Sequence, residues 1–202
     1  MNDYKIFSIN NTELSTKIAD ALGTKLGKIK IDTFSDGEMS PQFQESVRGH
    51  KVFLICTTSD PHEILKLLLA LDAAKRASAS EVIAILPYYG YSRQDRKEGP
   101  RGAVGARLIA DIIQTAGANR LICMDLHADQ IQGFFNGPVN LVPGYVAYRD
   151  FFKNLPQDKY TICSPDAGGV KRANKFYQHF LKDHPDTTFA MLSKLRDKPN
   201  SI

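Results

Sequence analysis

Val82-Ile83-Ala84-Ile85-Leu86 runs directly into Pro87-Tyr88-Tyr89-Gly90-Tyr91-Ser92-Arg93-Gln94-Asp95-Arg96-Lys97. Five consecutive apolar residues, stopped by a proline, read as a strand buried on both faces whose carboxyl end opens into an aromatic and basic loop. The arrangement recurs along the chain. Residues 52–56 lead into Thr57-Thr58-Ser59-Asp60, residues 121–124 into Asp125-Leu126-His127-Ala128-Asp129, and residues 160–163 into Ser164-Pro165-Asp166-Ala167-Gly168-Gly169. Helical patterns separate the runs. Ile64, Leu67, Leu68, Leu71 and Ala74 repeat every three or four residues, as do Leu108, Ile109, Ile112 and Ile113; Leu14, Ile18, Ala21 and Leu22 line one face of a helix that Gly23 ends. Strand and helix alternating at this spacing predict an α/β fold with a parallel sheet.

The composition agrees. Of 202 residues, 43% are hydrophobic and 24% charged, and the mean hydropathy is −0.28, which is the balance of a folded globular chain. No window approaches the roughly 18 apolar residues of a membrane span, and Met1–Glu13 has no basic and apolar leader. Cys56, Cys123 and Cys163 are odd in number, far apart and each at the end of an apolar run, so they read as reduced core residues of a cytoplasmic protein. A net charge of +4 does not by itself signal nucleic acid. The cations gather between Arg93 and Arg101, which suits a small polyanion better than a long backbone.

Gly137, Pro138, Pro143 and Gly144 mark a boundary. The expectation is an N-terminal domain over 1–142 and the start of a second over 143–202, with the chain cut inside that second domain because two strands cannot form a covered parallel sheet.

Several clusters could carry chemistry. In open α/β sheets ligands bind beyond the carboxyl ends of the strands, where this chain would pool Arg, Lys, Asp and His, as polyphosphate chemistry with a divalent metal requires. Around Arg93, guanidinium groups can pair with phosphate and tyrosine rings can stack on a base; a solvated charged loop is the plainer reading. His127 could stand beside a magnesium ion held by carboxylate and substrate phosphates, or simply brace its loop. Asp166, followed by two glycines and a helix start, could face an anion at free N–H groups, or be a turn. Phe34-Ser35-Asp36-Gly37-Glu38 could accept from an adenine amino group or ribose hydroxyl, or be a surface β-turn. Lys194 and Arg196 could close over transferring phosphates or stay solvated. No Walker A loop and no Gly-x-Gly-x-x-Gly occurs.

Taken together, five segments resemble the N-terminal two-thirds of the ribose-phosphate diphosphokinase (phosphoribosyl pyrophosphate synthetase) family: residues 34–38, 72–79, 87–97, 125–135 and 164–170. The resemblance runs from about Lys5 to Asn200. It implies two phosphoribosyltransferase-like (Rossmann-like) domains, the second truncated here, and transfer of the diphosphoryl group of Mg-ATP to the C1 hydroxyl of ribose 5-phosphate. By resemblance, Phe34, Asp36 and Glu38 complete a neighbouring subunit's ATP site, and Arg93, Gln94, Asp95 and Lys97 line the nucleotide site together with His127. His127 and Asp166 match the magnesium site; Lys194 and Arg196 match the catalytic loop. Also implied are Mg²⁺, ATP as substrate, inorganic phosphate as activator, and a cytoplasmic homo-oligomer of dimers assembled into a hexamer, with neither nucleic acid nor membrane as partner.

Departures are equally specific. The family's Thr-Gly-Gly-Thr cradle for ribose 5-phosphate is expected beyond Ile202, so this chain by itself is expected to be inactive. Ala103-Val104-Gly105 replaces Pro-Ile-Thr or Pro-Ile-Ser, the segment after Asp60-Pro61 is shortened, and Lys194-Leu195-Arg196 lacks a middle arginine. The alternative to a synthetase is a catalytically silent regulatory subunit that binds nucleotide and a partner.

Overall fold

Phe7, Val52, Leu54, Val82, Ala84, Leu86, Leu121 and Cys123 are all buried, and strand register puts them on one face of one sheet. That sheet has five parallel strands in the order β1-β4-β5-β6-β7: β1 is Tyr4–Ser8, β4 Lys51–Ile55, β5 Glu81–Leu86, β6 Arg120–Met124 and β7 Val139–Val142. The computed structural model describes residues 3–193. They fall into two compact units, Met1–Pro143 and Gly144–Ile202. Among the described residues, no helix is long and apolar enough to cross a membrane.

In the first unit, α2 (Pro61–Arg76) and α3 (Gly105–Ala116) seal the buried face, with Leu67, Leu71, Ala106, Ile109 and Ile113 in the same core as the strand residues. Asp60 caps α2, its carboxylate accepting from the N–H groups of His62 and Glu63 at 2.9 and 3.1 Å. The opposite face carries α1 (Thr12–Ala21), tied to β1 where the Ser15 hydroxyl donates to Ser8 at 3.0 Å.

Two expectations are corrected here. The strands are not buried equally on both faces: opposite α2 and α3, Ile6, Ile55 and Ile83 are buried but Phe53, Ile85, Ile122 and Met124 stay half-exposed, so that face is covered only in part. The inward side of α1 is Ser15 and Ala19, while Leu22 is 55% exposed; a small-residue stripe lets this helix approach the sheet closely.

Three features escaped the sequence reading. β1 is short and polar at both ends. β7 lies inside the Gly/Pro cluster taken as a boundary. A hairpin of β2 (Ile29–Thr33) and β3 (Met39–Phe43) interrupts the alternation, its Ile29, Ile31 and Phe43 packing on the core and Phe43 meeting Phe7 edge-on at 4.7 Å.

The hairpin is fastened by Glu45, which accepts from the Lys5 ammonium and, at 2.9 Å, from the Lys28 N–H. Partial burial opposes its ionisation, but these donors prevail and hold the carboxyl below the usual carboxylate range. A lowered folded-state value means the carboxylate stabilises the fold above its unfolded value and loses that contribution as pH falls through the folded one. Urea midpoints of wild type and Glu45→Gln measured from pH 7 to 2.5 should therefore converge below about pH 4; a constant gap would refute this assignment.

The second unit has β8 (Thr161–Ser164) and β9 (Thr188–Met191) paired in parallel, with α4 (Arg149–Lys153) and α5 (Val170–Phe180). Its interior is aromatic: Phe152, Phe176 and Phe180 pack on one another, and Phe180 and Tyr160 flank His184, whose Nε2 donates to the Phe152 carbonyl at 2.8 Å. β8 is largely uncovered and Cys163 is exposed, against the expectation of a core thiol; a sheet of two strands has too little area to bury both faces. Cys56 and Cys123 are buried, and burial pushes each thiol up to about 12, so both are inert.

Candidate nucleotide-binding edge

All five strands of the parallel sheet point the same way, so the loops after β4, β5 and β6 leave from one edge, and the three strands are neighbours. The loop after β5 is the longest. It is anchored to the β4 loop through Thr58, which is 1% exposed. The Thr58 hydroxyl donates to the Tyr88 carbonyl and accepts from the Gly90 N–H, both at 2.8 Å. On the other side the Tyr89 hydroxyl donates to the Ala106 carbonyl at 2.9 Å. Further along the edge, Asn10 exchanges two hydrogen bonds with the Thr57 backbone, at 2.7 and 2.9 Å.

Held in this way, the loop presents Arg93, Gln94, Arg96, Lys97 and Arg101 to solvent, with Asp95 half-buried. Among the described residues none of these four cations is in an ion pair. They are therefore available to an anion without first breaking a bridge. Tyr91 and Arg101 have left-handed backbones, φ +62° and +64°, a cost the surrounding bonds must offset. At the end of β6, Leu126 is buried while Asp125 and His127 are exposed, and Asp125 has φ +45°. His127 thus stands at the edge that carries Arg93, on the next loop. A cleft of about 350 Å³ runs alongside, lined by Pro61, Leu65, Tyr91, Gln94, Gly105 and Leu108 among others.

The other sequence-named residues lie elsewhere. Phe34, Asp36 and Glu38 form the tip of the β2–β3 hairpin, all exposed. The turn closes on itself: Phe34 N–H donates to the Glu38 carbonyl at 2.8 Å, and the Asp36 carboxylate accepts from the Glu38 N–H at 3.0 Å. Gly37, at φ +93°, supplies the conformation other residues resist. Asp166 belongs to the second unit. Its Oδ1 accepts from the Gly169 N–H at 2.8 Å, so that N–H, expected to be open to an anion, is occupied. Lys194 and Arg196 lie outside the described residues.

Among the described residues no cluster of three or more His, Cys, Asp or Glu side chains could enclose a metal ion. His127 and Asp166 are in different units, and an imidazole with one carboxylate does not make a magnesium cage. A hard cation accompanying a polyphosphate, with phosphate oxygens as most of its ligands, is what such sparse donors suit.

Sequence reasoning missed Thr58, Asn10 and Gly90. The signal for Thr58 was its place directly past an apolar run; which loop its hydroxyl would bridge required strand order.

A parallel α/β sheet whose carboxyl edge bears an unpaired basic loop puts the chain in the class of open α/β folds, in which ligands sit beyond the carboxyl ends of the strands. Comparison narrows the class. The family model for the N-terminal domain of ribose phosphate pyrophosphokinase matches residues 4–117, and the chain belongs to that family. It is 46% identical over 181 residues to the ribose-phosphate pyrophosphokinase of Porphyromonas gingivalis, covering 88% of this chain and 58% of that protein. It is 46% identical over 204 residues to that of Fusobacterium nucleatum, covering 98% and 63%. The crystal structure of phosphoribosylpyrophosphate synthetase from Mycobacterium smegmatis superposes with a TM-score of 0.81 at 35% identity, covering 98% of this chain and 66% of that one. The chain therefore spans less than two-thirds of the length of these relatives.

Proposed function

We propose that the protein carrying this chain is a ribose-phosphate diphosphokinase. It takes Mg-ATP and ribose 5-phosphate and yields 5-phosphoribosyl 1-diphosphate and AMP. The observation that carries this reading is the clamped, unpaired basic loop after β5, within the stretch matched by the family model.

In the reaction the C1 hydroxyl oxygen attacks the β-phosphorus, the bond from that phosphorus to the α–β bridging oxygen breaks, AMP departs, and the hydroxyl proton goes to solvent or a base. Little covalent work falls to the protein. Positioning and neutralising charge on the moving group are what its residues supply. Arg93 and Gln94 bind the nucleotide, with Asp95 and Lys97 supporting the loop. By the family's pattern His127 and Asp166 would hold a magnesium ion that withdraws charge from the phosphates, and Lys194 and Arg196 would neutralise the diphosphoryl group in flight. The exposed ring of Phe34, with Asp36 and Glu38, completes the site of a second copy. Assembly into a hexamer, activation by inorganic phosphate and a cytoplasmic setting belong to the same reading.

The test is AMP release by the gene product that contains these residues. AMP should appear only when ribose 5-phosphate and Mg²⁺ are both present and should stop with excess EDTA. Equal AMP formation without ribose 5-phosphate would indicate plain hydrolysis and end the proposal.

A further inference from the structure

We propose that Asn10 and Thr58 are positioning residues: their side chains carry the hydrogen-bond ladder of the sheet past the ends of its strands and so fix the pose in which the basic loop after β5 meets an anion. The proposal rests on the nucleotide-binding reading above and deepens it, since neither residue belongs to the set that would touch the nucleotide.

Backbone pairing between β1 and β4 ends with the Ile9 N–H donating to the Ile55 carbonyl at 2.9 Å. Beyond that rung the Asn10 carboxamide takes over. It offers a donor and an acceptor side by side, as a peptide group does. Its Nδ2 donates to the Thr57 carbonyl at 2.7 Å and its Oδ1 accepts from the Thr57 N–H at 2.9 Å. The next pair of strands is extended in a similar way. After the Cys56 N–H has met the Ile85 carbonyl at 3.0 Å, the Thr58 N–H reaches the Tyr88 carbonyl at a looser 3.2 Å. The Thr58 hydroxyl reinforces that contact at 2.8 Å and accepts from the Gly90 N–H at 2.8 Å. Because Thr57 and Thr58 are adjacent, the two joints make one belt across the loops after β1, β4 and β5.

The belt ends where the cations begin. Arg93 lies between two fixed points, Gly90 on the Thr58 hydroxyl and the Gln94 carbonyl on the Ala106 N–H at 3.1 Å. Tyr91, in the same stretch, is left-handed at φ +62°, a conformation that persists only while its surroundings impose it. Asn10 itself is exposed, and the strands behind the belt are closed by their own ladders and by the core under α2 and α3. Releasing the belt therefore loosens the loop before it disturbs the sheet. An anion must then order the loop as it binds, and that cost is read as lost affinity rather than as a lost fold.

The experiment measures Kd for Mg-ATP by calorimetry in the gene product that contains these residues, with the melting temperature as the check on folding. Thr58→Val, which keeps the branched shape and removes the hydroxyl, should raise Kd about tenfold, and Asn10→Ala about threefold, the scale of a lost hydrogen bond. Thr58→Ser should stay near wild type. The double variant should fall short of the product of the single effects, because both act through one belt. Thr115→Val, which removes a hydroxyl bonded to the Asp111 carbonyl at 2.8 Å on α3, should leave Kd unchanged. Wild-type affinity in Asn10→Ala, fully multiplicative effects, or Thr58→Ser failing as badly as Thr58→Val would overturn the proposal. If Thr58→Val does not fold, Asn10→Ala alone decides. Should wild type bind no Mg-ATP, the proposed function fails, and the belt is judged separately by amide hydrogen exchange. Faster exchange in Asn10→Ala at Gly90 as well as Thr57 upholds it; a change confined to Thr57 refutes it.

Discussion

Arg93→Ala should weaken Mg-ATP binding by roughly 10- to 100-fold, the range for losing charge-assisted hydrogen bonds to phosphate, and leave the melting temperature unchanged. Arg93 is exposed, and no ion pair or side-chain hydrogen bond consumes its guanidinium among the described residues. Its loss thus removes a ligand contact without opening the fold. Arg93→Lys should recover only part of the affinity, since an ammonium keeps the charge but not the two-pronged geometry. Arg107→Ala is the control. That guanidinium is also exposed, but it is already paired with Asp111 at 2.9 Å on α3, and its removal should leave nucleotide affinity within error. Calorimetric titrations at low and physiological salt check both points, because the Arg93 contribution should shrink as screening increases. Equal losses for Arg93→Ala and Arg107→Ala would reduce the effect to net charge and remove Arg93 from the site.

Gly90→Ala should cost about 3 kcal/mol of stability or more, at or above the upper end for overpacking. A Cβ there would sit 2.0 Å from the Thr58 carbonyl oxygen and 3.2 Å from its carbon. These are backbone atoms fixed between β4 and β5, with no flexible side chain to move aside. Relief would require parting the two loops, which breaks the bonds from Thr58 to Tyr88 and Gly90. Gly99→Ala, in the same loop with nothing within 4 Å of its added Cβ, should change stability by no more than about 0.5 kcal/mol. Urea denaturation followed by far-ultraviolet circular dichroism distinguishes the two. If Gly90→Ala unfolds at the wild-type midpoint, the tight crossing of these loops is not maintained in solution.

Much of the candidate edge was legible because strand ends announce themselves. Residues 82–86 could only be a covered strand, and the polar run after them had to emerge at its carboxyl end. The same logic placed His127 past β6 and Asp166 past β8. The hairpin was harder to see: Ile29, Ile31 and Phe43 alternate weakly, and Pro41 argues against a strand interior, yet β3 accepts it at an edge. Cys163 was misread because an apolar run implies burial only where a second layer exists, and β8 has one neighbouring strand among the described residues.

By itself the sequence determined the α/β class, the parallel sheet, the basic loop between Arg93 and Arg101 and the family's motifs, since each depends on residues close together in the chain. Tertiary structure alone decided how that loop is held. Thr58 is 32 residues from Gly90 and Tyr89 is 17 from Ala106, and no local pattern reveals that a hydroxyl will meet an amide across such a gap. It also decided that the Gln94 side chain lies across Gly105, its Oε1 2.5 Å from where a Cβ would stand. A glycine in a sequence signals freedom of backbone or freedom of space, and only the position of its neighbours tells which.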